Sequence, residues 1–222
     1  MWEKLYIAEC LLQLDRMEKS FAKKPVADPV PITKILEVGR KMKNPELRAI
    51  LYVLYLTGAR ISEVLQLKYG DFMPYKKFNK KTGVEEERLE AKLITLKNRH
   101  SHSRVIPLSD RRNEEKVMHI SIRRYLAALP ITDTRTKVFR MNRFKVYDEL
   151  NKFTVETTVY DEASKTNSTV EYRLHPHFIR HCRLTDLANY YHAQEKILVA
   201  VAGHSDSRTI TRYVKTSLEE LR

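Results

Sequence analysis

Residues 203–213 read GHSDSRTITRY, which places Tyr213 nine residues after His204. Two shorter segments precede this one, TGARISE at residues 57–63 and HFIRH at residues 177–181. Cleavage of a phosphodiester without a metal requires cations for the non-bridging oxygens, an aligned nucleophile and a proton donor for the leaving oxygen. The three segments combine arginines and histidines with one tyrosine, and this combination indicates phosphate chemistry with Tyr213 as the nucleophile.

The composition favours one basic domain. The 222 residues are 42% hydrophobic, enough for one substantial core, and 41 Lys+Arg against 28 Asp+Glu give a net charge of +13. This charge indicates a polyanionic partner, although charge alone does not separate nucleic acid from an anionic membrane. The sequence has no run of about 18 apolar residues, and residues 1–4 lack the basic-then-apolar order expected of a signal peptide. We therefore expect a soluble, intracellular protein.

The start of the chain is predicted to form a separate element. Apolar residues among charges favour an amphipathic helix from Trp2 to about Lys19, and three prolines between residues 25 and 31 end it. We therefore divide the chain into an N-terminal helix and linker, residues 1–24, and a main domain, residues 25–222. The helix either contacts a partner or DNA, or packs on its own domain.

Helix signals in the main domain come from caps, prolines and glycines. Asn44 and Pro45 mark the start of one helix and Gly58 its end. A second short helix then begins, so Arg60 lies in the turn between the two. Further helical patterns cover residues 114–129 and 143–152, a stretch that starts at Pro176, and a stretch closed by Gly203.

Strand patterns predict two hairpins. The first joins residues 89–96 to residues 104–108 through a basic polar loop. The second joins residues 153–160 to residues 168–173. Residues 75–88 hold a Lys-Thr-Gly turn and are a candidate for one further strand.

The HFIRH segment favours an anion over a metal. His177, Arg180 and His181 fall at i, i+3 and i+4, so they share one face near the start of a helix, where free amides favour phosphate. Two histidines at this spacing also resemble half of a zinc protease motif, but an arginine stands where that motif has its glutamate. Cys10 and Cys182 lack a Cys-x-x-Cys spacing, so we expect free thiols. We expect no metal and no cofactor, and a structural role for the nearby histidine at position 175.

The order and spacing of these motifs resemble those of the catalytic domain of the tyrosine recombinases, also called the lambda-integrase family. The resemblance extends from about Pro29 to Tyr213. It implies an α+β fold that is mainly helical, the tyrosine-recombinase catalytic fold, with a small antiparallel sheet. Many relatives carry a further N-terminal clamp domain and a longer C-terminal segment, so we expect either a minimal enzyme or partner contacts that replace the clamp.

The resemblance also implies catalytic roles. Tyr213 would attack the scissile phosphate and leave a 3′-phosphotyrosyl link, while Arg60 and Arg180 clamp the non-bridging oxygens. His177 would take or return the tyrosine proton, and His204 would steady the phosphate.

Three further residues complete the implied site. Lys97 on the first hairpin would protonate the leaving 5′ oxygen, with Lys92 and Arg99 as the competing candidates. Glu63 would hold the first arginine by an ion pair, and His181 would act as a supporting residue.

The function implied is site-specific recombination or integration at a double-stranded DNA attachment site, without metal or ATP. The resemblance also implies a cytoplasmic protein that associates with nucleoid, viral or plasmid DNA and not with a membrane. We expect a homo-oligomer that is tetrameric on DNA and monomeric when free. Two alternatives stay open, a type IB topoisomerase that relaxes supercoils and a DNA-binding accessory protein without catalysis. A covalent DNA adduct separates the enzymes from the accessory protein.

Overall fold

The described residues form two compact units. The computed structural model describes residues 27–79, 83–95, 102–131, 133–161 and 165–203. The larger unit contains the described residues from 29 to 155 and from 171 to 203. The smaller unit contains residues 27 and 28 together with the described residues from 156 to 170. The predicted N-terminal helix and linker, residues 1–24, lie outside the described residues.

The described part of the chain contains seven α-helices and five strands. The helices are α1 (Ile32–Lys41), α2 (Pro45–Thr57), α3 (Ile61–Val64), α4 (Asn113–Ala127), α5 (Arg143–Leu150), α6 (Pro176–Asn189) and α7 (Glu195–Ala202). The strands are β1 (Phe72–Asn79), β2 (Val84–Thr95), β3 (His102–Pro107), β4 (Thr154–Asp161) and β5 (Thr166–Arg173). Within these ranges, no helix has both the length and the apolar character needed to span a bilayer.

Helix α2 forms the centre of the larger unit. The Asn44 side chain caps it by accepting hydrogen bonds from the backbone N–H groups of Glu46 and Leu47, at 2.9 and 3.3 Å. Gly58 ends it with a left-handed φ of 60°, a conformation that glycine adopts without steric cost. Ten of its 13 residues are buried, and it contacts α1, α4 and α6. The predicted limits of this helix are confirmed.

A three-stranded antiparallel sheet of order β1-β2-β3 lies beside the helices and contacts α3 through β2 and α7 through β3. The predicted first hairpin corresponds to β2 and β3. Residues 75–88, the candidate for one further strand, divide between β1, which starts at Phe72, and the first part of β2, which starts at Val84 and not at the predicted residue 89. Strand β3 begins two residues earlier than predicted because the pairs Thr95↔His102 and Ile94↔Ser103 extend the ladder. The tip of this hairpin, residues 96–101, lies outside the described residues.

The second hairpin, β4-β5, is also confirmed. Within the smaller unit, β4 receives the chain at residues 27 and 28. The backbone N–H of Asp28 donates to the carbonyl oxygen of Thr158 at 2.8 Å, and the Thr157 hydroxyl donates to the carbonyl oxygen of Asp28 at 2.7 Å. Ala27 and Val159 form an isolated antiparallel bridge. This hairpin therefore pairs with a segment distant in sequence.

A buried carboxylate connects α4 to α6 and to the segment that follows α6. Glu115 is 0% exposed and accepts hydrogen bonds from the Arg183 guanidinium at 2.9 Å, the Tyr191 hydroxyl at 2.6 Å and the Ser109 hydroxyl at 2.7 Å. Burial alone would raise the pKa of Glu115, but the charge of Arg183 and these hydrogen bonds lower that pKa to about 2. The carboxylate is therefore ionised in the folded chain over the whole neutral range.

We predict that Glu115→Gln lowers the free energy of unfolding near pH 7 by about 3 kcal/mol, because the favourable pairing of the carboxylate is lost. The folded-state pKa lies below the usual 4.5, so the contribution is complete above that pH and disappears as the pH falls toward 2. The difference between wild type and variant should therefore shrink over this window. Urea unfolding near pH 7 and at about pH 3 measures it.

Glu114→Gln is the matched control for this experiment, because Glu114 lies in the same turn and is partly exposed. Its free energy of unfolding should stay within about 0.5 kcal/mol of wild type at both pH values. A Glu115→Gln deficit that does not change with pH would contradict the role given to the carboxylate.

Candidate active site

One cavity of ≈ 210 Å³ brings together three of the predicted site residues, Arg60, His177 and Arg180. Helix α5 begins at this cavity with Arg143, and α6 begins there with Pro176. Helix N-termini carry unpaired amide groups and partial positive charge, and both favour an anion. The remaining lining residues are Ile61, Ser62 and Tyr147.

Arg60 lies in the predicted turn between α2 and α3. Its backbone N–H donates to Glu63 at 2.9 Å, and its guanidinium approaches the same carboxylate at 3.4 Å. The guanidinium also donates to the carbonyl oxygen of Gly203 at 3.5 Å. The predicted ion pair with Glu63 is therefore present, and a quarter of the Arg60 side chain stays exposed toward the cavity.

Arg180 is 4% exposed and connects two helix ends. One terminal nitrogen donates to the carbonyl oxygen of Gly58 at 2.6 Å, and the other donates to that of Ala202 at 2.7 Å. Carbonyl groups at helix C-termini carry partial negative charge, so a buried cation is well matched to them. Arg180 therefore positions the ends of α2 and α7 as well as lining the cavity.

The histidines of the HFIRH segment and its flank have different environments. His177 is exposed and lines the cavity, whereas His181 is half-buried and does not line it. His175 caps α6, because its ring accepts a hydrogen bond from the backbone N–H of Phe178 at 3.2 Å. Burial and the nearby His177 lower the pKa of His175, so its ring is neutral at pH 7. The structural role predicted for His175 agrees with this cap.

Three predicted catalytic residues, Lys97, His204 and Tyr213, lie outside the described residues. So does Arg99, one competitor of Lys97. The other competitor, Lys92, is exposed on β2, where it alternates with the buried Ala91 and Leu93. Among the residues that are described, no three His, Cys, Asp or Glu side chains are grouped to hold a metal ion.

Sequence reasoning missed three residues around this cavity. Arg143 and Tyr147 line it, and the Arg143 guanidinium lies 5.7 Å from the centre of the Tyr147 ring. Arg104 on β3 binds Glu63 at 2.7 Å. A signal for Arg104 existed, because Arg104 shares the inward-facing alternation of β3 with the buried Ile106, and an inward arginine requires an acidic partner.

The sequence profile of the phage integrase family matches residues 31–220. The chain belongs to this family. Tyrosine recombinase XerA of Pyrococcus horikoshii is 27% identical to it over 211 residues, which are 95% of this chain and 63% of that relative. The integrase-family chain thus spans less than two thirds of the curated relative it matches.

Solved structures share the fold of this integrase-family chain at low sequence identity. The crystal structure of XerA recombinase has a TM-score of 0.55 at 14% identity, covering 86% of this chain and 61% of that one. The catalytic domain of bacteriophage HP1 integrase has a TM-score of 0.51 at 18% identity and 86% coverage of both chains. XerH recombinase bound to its difH substrate has a TM-score of 0.53 at 17% identity, covering 86% and 50%. The predicted fold, mainly helical α+β of the tyrosine-recombinase catalytic type, is confirmed.

We predict that Arg180→Met lowers the free energy of unfolding by about 3 kcal/mol, because two buried carbonyl groups lose charged hydrogen-bond donors. Arg143→Met is the matched control, since Arg143 lines the same cavity but is exposed. Its loss should stay below about 1 kcal/mol. Urea unfolding compares the two variants, and equal losses would contradict the bridging role of Arg180.

Proposed function

We propose that this chain is a site-specific DNA recombinase that cleaves and rejoins double-stranded DNA through a 3′-phosphotyrosyl intermediate. The observation that carries the proposal is the convergence of Arg60, His177 and Arg180 on one cavity. Arg60 and Arg180 are 120 residues apart in the sequence, so this convergence is a property of the fold. Family membership supports the same chemistry.

The two arginines are proposed to neutralise the scissile phosphate. A guanidinium keeps its charge at every physiological pH, and its planar fork matches two phosphate oxygens. Arg60 has an exposed fraction that faces the cavity, while Arg180 is held by two carbonyl groups. Donors held in place before the reaction stabilise the charge that develops in the transition state without further reorganisation.

Tyr213 is proposed as the nucleophile, with His177 and His204 beside the phosphate and Lys97 as the acid for the leaving 5′ oxygen. A tyrosine with a pKa of about 10 needs a base and nearby cations to attack at neutral pH. The carbonyl oxygen of Gly203, the residue before His204 in the sequence, lies 3.5 Å from the Arg60 guanidinium, which supports this assignment. The phosphotyrosyl bond conserves the energy of the phosphodiester, so we propose rejoining without ATP or metal.

The proposed partner is a double-stranded DNA attachment site, bound by a tetramer of this chain. The net charge of +13 favours a polyanion, and the similar XerH structure contains its difH substrate. Recombination joins ends from two duplexes, so it requires more than one active site in the assembly. This requirement is the basis of the proposed homo-oligomer.

We predict that wild-type protein forms a covalent adduct with a nicked suicide duplex in EDTA, and that Tyr213→Phe forms none, because phenylalanine lacks the attacking oxygen. A denaturing gel of protein with labelled DNA measures the adduct. Tyr160→Phe serves as the matched control, since Tyr160 lies exposed on β4 and does not line the cavity.

Tyr147 is the rival nucleophile, because it lines the cavity with both arginines. An adduct that persists in Tyr213→Phe and disappears in Tyr147→Phe would contradict the proposed nucleophile. Absence of an adduct with any duplex would favour the accessory-protein alternative. Relaxation of supercoiled plasmids of unrelated sequence would favour the topoisomerase alternative.

We predict that DNA binding weakens steeply with salt, with a slope of about 0.9 in log Kd against log salt for each phosphate neutralised. Arg143→Ala should reduce this slope by about one, because Arg143 is an exposed cation of the cavity. Fluorescence anisotropy across a salt series measures the slope. Arg135→Ala, which removes an exposed arginine that does not line the cavity, should leave it unchanged, and equal effects of the two variants would contradict the proposed binding face.

A further inference from the structure

We propose that Arg104 is a positioning residue for DNA cleavage, because it neutralises the buried Glu63 carboxylate and leaves the charge of Arg60 available to the scissile phosphate. The inference rests on the proposed function and deepens it. Arg104 lies on β3 of the neighbouring sheet and does not line the cavity.

Arg104 binds Glu63 with both arms of its guanidinium. Its terminal nitrogens lie 3.1 and 2.7 Å from the two carboxylate oxygens of Glu63. The Arg104 side chain is 12% exposed and that of Glu63 is 1% exposed, so water screens this pair weakly. A bidentate, charge-assisted pair of this kind is stronger than a single contact.

Two further donors of Arg104 bind groups other than Glu63. One terminal nitrogen donates to the Thr95 hydroxyl at 2.6 Å, and Nε donates to the carbonyl oxygen of Val201 at 3.2 Å. Arg104 therefore connects its own strand to β2, to α3 through Glu63 and to the end of α7. These contacts fix the orientation of the Arg104 guanidinium toward the Glu63 carboxylate.

The guanidinium of Arg60 forms a weaker ion pair with Glu63 than that of Arg104 does. Its guanidinium reaches the carboxylate through one contact of 3.4 Å, against the two shorter contacts of Arg104. Burial by itself raises the pKa of Glu63, but the hydrogen bonds and charges of Arg104 and Arg60 lower that pKa below its usual range. The carboxylate is thus ionised, and the shorter distances show that its main ion-pair partner is Arg104.

The pairing of Glu63 with Arg104 determines how much positive charge Arg60 can offer to a phosphate. Two guanidinium groups and one carboxylate leave one net positive charge, and the most exposed side chain of the three is that of Arg60, which lines the cavity. Without Arg104, Arg60 would be the cation that neutralises Glu63, because a buried carboxylate requires a partner. The phosphate would then compete with Glu63 for Arg60.

Arg104 packs closely against the backbone of Gly203. A Cβ atom at Gly203 would lie 2.8 Å from a terminal nitrogen of Arg104, and the φ of Gly203 is +59°. The carbonyl oxygen of the same glycine accepts from Arg60 at 3.5 Å. Arg104 thus also limits where the end of α7 lies beside Arg60.

The decisive experiment compares single-turnover adduct formation by wild type, Arg104→Met, Glu63→Gln and the double variant on the nicked duplex. Arg104→Met should slow adduct formation on the order of 100-fold, because Arg60 is drawn to Glu63. Its affinity for the duplex should change less than about threefold, since the phosphate contacts outside the cavity remain. The double variant should react at least about tenfold faster than Arg104→Met, because no buried carboxylate competes for Arg60.

A methylphosphonate at the scissile position gives a second readout. It lacks one negative oxygen, so its cleavage depends less on the charge of Arg60. The ratio of the wild-type rate of adduct formation to that of Arg104→Met should therefore be about tenfold smaller on this substrate than on the phosphate substrate. A residue that only stabilised the fold would give the same deficit on both substrates.

Arg104→Lys guards against loss of folding in the methionine variant, because lysine keeps the charge and loses the fork. It should react faster than Arg104→Met and slower than wild type. The inference alone is overturned if wild type forms the adduct and Arg104→Met matches its rate, or if the double variant is no faster than Arg104→Met. Failure of wild type to form any adduct overturns the proposed function and the inference together.

Discussion

The two carbonyl oxygens that accept from Arg180 belong to Gly58 and Ala202, at the C-terminal ends of α2 and α7. A buried guanidinium has to be matched by acceptors, because its charge is costly away from water. Matching Arg180 in this way brings both helix ends against the start of α6. Arg60 follows two residues after one of these ends, and Gly203 directly follows the other. The geometry of the cavity therefore depends on one buried arginine that is satisfied by helix termini.

In the described part of this strongly basic chain, two buried carboxylates bind arginines. Glu115 accepts from Arg183 and secures α4 against α6, and Glu63 accepts from Arg104 and secures α3 against β3. Both pairs join elements that are distant in sequence. In each pair, the carboxylate also accepts a hydrogen bond from an uncharged donor. For Glu115 this is the Tyr191 hydroxyl, and for Glu63 it is the backbone N–H of Arg60. Arginines matched in this way belong to the scaffold, whereas the Arg143 side chain is exposed at the cavity.

Local signals predicted the elements around the site well. The cap at Asn44, the left-handed Gly58 and the proline at the start of α6 act within a few residues, so their effect is visible in sequence. The predicted start of β3 was less accurate, because a strand begins where ladder pairing with its neighbour, here β2, begins, and composition does not reveal that position. The pairing of Arg60 with Glu63 was predicted, but the stronger partner of Glu63 was not. That partner lies 41 residues away, beyond the reach of helical spacing.

The sequence by itself determined the fold class, the helix limits near the cavity and the family, because motif order, caps and hydrophobic periodicity are written in neighbouring residues. Only the tertiary structure decided which cations are scaffold and which face the cavity. Arg60, Arg104 and Arg180 are chemically identical, and composition does not rank them. Their roles differ because sheet pairing presents a carboxylate to Arg104, and helix packing places Arg60 and Arg180 at the cavity. Helix carbonyl groups hold Arg180 there.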